Sequence, residues 1–296
     1  MKNGFGVFLA AFIALGFSWC GFVLAPVKQL GTAKQTAVLN SSDIYPLQRS
    51  GDATLGLQVY RANGCAACHT EQVRQESVSC DVVVTSLGNN RAALSQAFDE
   101  VYELMYKNDP NPAHFMQVGS LRPNKQVSLQ VFHSITKEIA DAASAKIAAA
   151  GGKSETHIIA TGADIARGWG VRRSVAEDYL YDDPVQPGSL RAGPDLSNIG
   201  VRDPDLNWQL VHLYAPPAVV KNSAMPPFRF LFEVRKMTAG DAPSPDALQF
   251  PKDFAPPADS EVLPTPEAKQ LAAYLLSLKA DVPLYEAPFT PVMTKP

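Results

Sequence analysis

Cys65-Ala66-Ala67-Cys68-His69 decides how the rest of this 296-residue chain is read. Two cysteines separated by two residues, with histidine directly after the second, form the attachment signature of a c-type haem. Each part has a chemical task. The thiols add to the porphyrin vinyl groups, the tight spacing puts both sulfurs on one face of the ring, and the imidazole reaches the iron from the proximal side. Other readings of the cysteines fit less well. Zinc wants four ligands, usually as two spaced pairs, and no second Cys-x-x-Cys or His-x-x-x-His follows. A structural disulfide or a thioredoxin-like redox pair leaves the adjacent His69 without a purpose. The motif occurs once, so one covalently attached haem c is expected.

Composition narrows the class. A net charge of -3 and a pI near 6.0 give no basic footprint for nucleic acid, so no nucleic-acid partner is expected. With 19% charged residues and 24 prolines, the chain points to long ordered loops rather than a helical bundle. Its length allows two modest domains.

Gly4 to Ala25 is an uninterrupted uncharged run with Phe5 to Leu24 as its core. At ~1.5 Å per residue, ~20 helical residues cross the ~30 Å hydrocarbon layer. Trp19 and Phe22 lie near the outer end, where aromatic residues favour the interface. A cleaved signal peptide is the rival reading, but Pro26 directly after Val23-Leu24-Ala25 disfavours cleavage and the apolar run exceeds a usual signal core. A retained single-pass anchor over residues 1–27 is therefore expected. The flanking lysines, Lys2, Lys28 and Lys34, do not settle its orientation. The haem does: c-type haem is attached outside the cytoplasm, which places the bulk of the chain in the periplasm, on the bacterial inner membrane. Cys20 then lies in lipid and Cys80 in the aqueous domain, each a lone thiol.

Residues 28–50 read as a polar linker. A short helix follows with Asp52 as its expected N-cap and the pairs Leu55/Val59 and Gly56/Tyr60, and it runs into the haem motif. Near the other end, Thr265-Pro266-Glu267 starts a helix whose Leu271, Tyr274, Leu275 and Leu278 share one face. This pair of terminal helices resembles the class I cytochrome c fold, in which they cross over the haem and a small residue such as Gly56 lets an aromatic such as Tyr274 approach. The expected class is mainly α: a cytochrome c domain, residues 51–75 and 162–296, with a transmembrane helix before it.

That resemblance implies a distal ligand, usually methionine on a loop. Among Met105, Met116, Met225, Met237 and Met293, the favoured candidate is Met225, in Ser223-Ala224-Met225-Pro226-Pro227, where prolines stiffen the backbone. Met105 reads as core. Gly193-Pro194-Asp195-Leu196 resembles the family's turn, whose proline carbonyl accepts the proximal histidine's other N–H; the resemblance thus makes Pro194 the acceptor for His69.

Tyr181-Asp182 with Pro184, Gly188-Ser189, Arg191, Gly193 to Leu196, Gly200, Trp208, His212-Leu213, Pro216 and Ser223-x-Met225-Pro226 follow in order, and Gln72-Val73-Arg74 follows the haem motif. Together they resemble the membrane-anchored mono-haem subunit II of cbb3-type cytochrome c oxidases. The resemblance implies a relay of electrons to the haem-copper catalytic subunit, with other cytochrome subunits as partners and no catalytic site in this chain. Arg172, Arg173 and Arg191 are candidates to pair with haem propionates, and Trp208 to hydrogen-bond one. His212 reads as a structural histidine or a subunit contact. Two alternatives stay open: the cytochrome subunit of a nitric oxide reductase, and a haem-based sensor with an open sixth site.

Residues 76–161 interrupt the family pattern. Asp81 to Ser86 reads as a strand, Leu94, Phe98, Val101 and Met105 as a helical stripe, Gln126 to Phe132 as a strand, Ile135 to Ile147 as a helix closed by Gly151-Gly152, and Thr156 to Ala160 as a last strand. This inserted small α/β (α+β) domain resembles the C-terminal domain of the bacterial ribosomal stalk protein. Fold does not carry function, so a docking module or a plain spacer is expected. His114, His133 and His157 show no metal spacing. The proline-rich stretch 233–263 reads as an irregular wrap with Phe250 and Phe254 as anchors.

Overall fold

The computed structural model describes residues 4–32, 34–39, 41–108, 131–134, 136–238, 240, 242–285 and 287–288. Its N-terminal helix is one rod in three parts: α1 (Gly4–Trp19), a π turn (Cys20–Leu24) and α2 (Ala25–Leu30). The π turn, in which the Ala25 N–H reaches the Cys20 carbonyl, absorbs Pro26, whose missing N–H and ring would otherwise break an α-helix. Gly4–Gln29 is long and apolar enough to cross a membrane by length and composition, and none of it is buried by the rest of the chain.

The stretch expected as a polar linker is ordered against the body instead. The helix continues to Leu30, and β1 (Thr36–Ala37) pairs antiparallel with β2 (Ile44–Tyr45). Leu39 N–H donates to Pro283 O at 3.1 Å, Tyr45 OH donates to Asp178 at 2.8 Å, and Arg49 pairs with Asp182. Tyr45 also packs on Val175, Leu284 and Ala287. A polar composition concealed these two long-range anchors.

Next come α3 (Gly51–Ala62), β3 (Ser77–Ser86), α4 (Arg91–Asn108), β4 (Val131–Ser134), α5 (Lys137–Ala149) and β5 (Lys153–Thr161). The N-cap of α3 is Ser50, whose hydroxyl accepts from Ala53 N–H, rather than Asp52. Its buried face is Ala53, Gly56, Leu57 and Tyr60; Leu55 is exposed.

The insertion is a three-stranded antiparallel sheet in the order β4-β3-β5, with Val82, Val84, Leu94, Val101, Ala140, Ala143 and Ile147 as its core. Gly151 ends α5 at φ +84°, its N–H on Ala148 O and the Gly152 N–H on Ile147 O, a left-handed C-cap that glycine adopts without Cβ strain. The expected strand start at Gln126 lies outside the described residues, as do Met116, Met293 and the side chain of Met105. The two ends of the insertion meet: Glu76 N–H donates to Thr161 O at 3.0 Å, and Val73 and Ser174 exchange two hydrogen bonds. Because entry and exit share one neck, the rest of the chain closes as if the insertion were a single tight loop.

After the neck run α6 (Ala163–Ala166), α7 (Ile199–Arg202), α8 (Leu206–Tyr214), β6 (Phe232–Lys236), β7 (Ser260–Pro264) and α9 (Pro266–Ser277). β6 and β7 pair antiparallel, so the region read as irregular carries a ladder. Prolines in its connection hid the return strand. Phe250 packs edge-on to Tyr214 at 5.5 Å between centroids, whereas Phe254 is 43% exposed.

α3 and α9 cross where a side chain is missing. A Cβ on Gly56 would sit 2.7 Å from the Tyr274 Cβ and 2.6 Å from the Gln270 carbonyl carbon, so only glycine permits the approach. Tyr60 and Tyr274 meet at 5.2 Å between ring centroids. Beneath lies a cluster of Leu57, Leu196, Leu210, Val211, Leu213, Leu271 and Leu275, against which Cys65, Ala66, Trp208 and Met225 also pack.

Candidate haem-binding site

The haem motif follows α3 on a single 3-10 turn, Cys65–Ala67, entered through Gly64 at φ +67°. The turn is too short to hold itself and is gripped by a distant loop. Ser189 N–H donates to Ala66 O, Gly193 N–H to Cys68 O and Leu196 N–H to Thr70 O, at 3.1, 2.9 and 2.8 Å. Asp195, fully buried, accepts from Thr70 Oγ1, Gln72 N–H and Ser197 N–H and locks the loop from inside.

His69 Nδ1 lies 2.8 Å from the Pro194 carbonyl. A carbonyl only accepts, so Nδ1 carries the proton and Nε2 keeps its lone pair free for a metal. A Cβ on Gly193 would fall 2.7 Å from His69 Nδ1, so glycine is required to seat the ring. Burial first, and then the Arg202 charge, hold the His69 pKa below its ordinary value, against the Pro194 bond and Asp195. The imidazole is thus neutral, the form a metal needs. Cys65 and Cys68 are free thiols, Cys65 pushed up to about 11, chiefly by burial.

Of the expected propionate partners, Arg191 and Arg172 are bonded within the chain. Arg191 donates to Thr70 Oγ1 (3.0 Å), Asp164 Oδ1 (2.7 Å) and Gln72 O (2.6 Å) and lies over the Trp169 ring. Arg172, 1% exposed, is forked on Asp178 and bonded to the Val282 and Arg173 carbonyls. Both guanidiniums brace loops, because carboxylates of this chain reach them first. Trp208 stacks on His212 at 5.0 Å and 12°. Met225 is half-buried on the shared apolar cluster, in a segment whose Phe228 N–H bonds to Leu213 O at the last turn of α8. Met237 lies past β6, its N–H on Asp259 O.

Two residues were missed. Arg202 donates through Nη2 to Asp195 O at 3.0 Å, while its Nη1 is buried with no hydrogen-bond partner among the described residues. Burial lowers its pKa, with Asp203 and Asp195 opposing. A guanidinium whose Nη1 is closed off from solvent and keeps a spare donor fits an anionic group such as a haem carries. No periodicity marks it; its position six residues past Leu196 was the available signal.

Glu71, two residues past His69, is 4% exposed beneath the helix crossing. Tyr274 OH donates to its Oε2 at 2.8 Å, Oε1 has no partner among the described residues, and a cavity of about 370 Å³ bordered by Arg49, Asp182 and Ser277 reaches it. Burial raises its pKa from 4.5 to about 8, with Asp182 adding to the rise and Tyr274, Tyr60 and Arg49 opposing it. The folded state therefore holds a proton that the unfolded state releases between pH 4.5 and about 8. Stability is full below that window and falls as pH rises through it, by roughly 5 kcal/mol. In urea unfolding of the intact protein, Glu71→Gln is expected to remove this fall; a slope unchanged in the variant would refute it.

A histidine with one nitrogen capped and the other free, two unbridged thiols beside it and a glycine against its ring together define a site fitted to a single haem. The arrangement is similar to that of a mono-haem cytochrome. Residues 159–250 match the family model described as cytochrome C oxidase, mono-heme subunit/FixO, which supports a subunit of a cbb3-type oxidase. The match spans α6, α7, α8, the Met225 segment and β6; the haem motif, α3 and α9 lie outside it. No curated protein matches the chain.

Proposed function

We propose that this chain is a membrane-anchored mono-haem c-type cytochrome that relays electrons to the haem-copper catalytic subunit of a cbb3-type oxidase. The single observation that carries this reading is the His69–Pro194 bond, which orients a neutral imidazole beside Cys65 and Cys68 in a chain whose residues 159–250 match the oxidase subunit family model. The haem supplies a centre that takes up and releases one electron. Cys65 and Cys68 would hold it covalently and His69 would ligate its iron. Met225 would supply the second protein ligand, a thioether that would favour a potential suited to transfer. Arg202 takes the propionate role expected of Arg191, and Trp208 walls the pocket. The Gly4–Gln29 helix spans the inner membrane, and the haem domain faces the periplasm, where c-type haem is attached.

The ordered strap between anchor and body, tied through Tyr45 and Arg49, favours a relay held at fixed height over a membrane partner. The insertion stands outside the haem core on its narrow neck. We read it as a docking module or spacer, its β3-α4-β4-α5-β5 order being the basis for likeness to the ribosomal stalk domain.

Purification from the native membrane tests the reading. The expected result is one covalent haem on this chain, detected on a denaturing gel, and co-isolation of a haem-copper subunit that reduces oxygen. A partner that reduces nitric oxide instead would assign the reductase. Isolation alone, with a ferrous haem that binds carbon monoxide readily, would assign a sensor.

A further inference from the structure

The three strands of the insertion bring together residues that share no spacing along the chain. In β3, Val82 and Val84 face the core packed against α4 and α5, so alternation sets Asp81 on the opposite face of the sheet. The register gives Asp81 a partner on each side, His133 of β4 and His157 of β5. Cross-strand partners share a face, about 4.5–5.5 Å apart at Cβ. The two histidine positions therefore flank the carboxylate in one row. Glu155, opposite Val83 on β5, lies on that face as well, diagonal to Asp81. The His157 and Glu155 side chains are 49% and 66% exposed, so an ion from solvent reaches both. His157 Nε2 stands 3.6 Å from Glu155 Oε2, too far for a hydrogen bond and near the separation two ligands keep around one ion. Among the described side chains no three such donors are already gathered, so the row is a ligand set only with His133 of the edge strand.

We propose that His133, Asp81, His157 and Glu155 bind one zinc ion on the face of this sheet away from its helices. Two imidazoles and two carboxylates make a four-donor set that suits zinc in tetrahedral geometry. Calcium and magnesium prefer shells of oxygen alone. The ion joins both edge strands to the central one. Among the described residues β4 meets β3 over four pairs, against nine for β5, so the shorter edge gains most from the clip.

The test uses the full-length haem-loaded protein in detergent, stripped of loose metal with a chelator, and zinc chloride as the probe. Competition with a chromogenic chelator is expected to count one zinc per chain. Changing an outer partner of a metal ligand costs about 10–100-fold in affinity, so losing a ligand should cost at least about a hundredfold. His133→Ala, His157→Ala and Asp81→Asn are each expected to show that loss. Asp141→Asn, on α5 across the sheet, is the control and should bind as the wild type does. A second measurement needs no variant and so does not depend on how the variants fold. Zinc should protect His133 and His157 of the wild-type protein from acylation by diethyl pyrocarbonate, read by peptide mass. The proposal is overturned by a wild type that takes up no zinc, by wild-type affinity in His133→Ala, or by equal acylation of both histidines with and without zinc.

Discussion

Gly56→Val is expected to cost about 4 kcal/mol or more, a large share of a total stability of about 5–15 kcal/mol. Added methyl groups in a packed interior usually cost about 1–3 kcal/mol because side chains can shift aside. Here the obstruction is largely backbone: the Gln270 carbonyl carbon and the Tyr274 Cβ occupy the space a Cβ would need. Relief requires α3 and α9 to separate, which would open the Tyr60–Tyr274 contact and the Glu71–Tyr274 hydrogen bond. Urea unfolding of the haem-loaded protein measures the effect. Gly51→Ala is the control, since a Cβ there meets nothing within 4 Å. A Gly56→Val midpoint equal to that of the control would show that the crossing does not hold the domain.

Met225→Ala should act in the opposite manner, sparing the fold and changing the iron. Met225 is only half-buried and its segment is held by backbone bonds at Phe228, so loss of the side chain leaves the core intact. If Met225 ligates the iron as proposed, loss of the thioether would remove the ligand that favours ferrous iron. The expected result is a ferric spectrum shifted toward high spin, and a reduction equilibrium lowered at least about a hundredfold, ~120 mV at ~59 mV per decade. Unfolding curves should overlay. An unchanged spectrum would move the distal ligand elsewhere, with Met237 the next described methionine to replace.

Much of this was legible residue by residue. The haem motif is chemistry between neighbours. The stripe of Leu271, Tyr274 and Leu275 on α9, and its Thr265-Pro266 start, are local periodicity and capping. The insertion's strands and helices emerged for the same reason, although β3 and β5 each run longer than their apolar cores suggested. Polar segments misled. Residues 28–50 had no apolar pattern, yet Tyr45 and Arg49 reach Asp178 and Asp182 across 133 residues. Arg191 had the right charge for a propionate, and its pairing with Asp164 was not legible in the sequence.

By itself, then, the amino-acid order determined the haem motif, the apolar N-terminal helix and the two helices that close the domain, because each depends on residues within a turn or two of one another. Which arginine keeps a spare donor, which carbonyl caps His69 and where Glu71 is shut in were decided only in three dimensions. The His69–Pro194 and Glu71–Tyr274 bonds join residues 125 and 203 positions apart. Burial and competition among all nearby acceptors select such pairs, and neither is a property of any one segment.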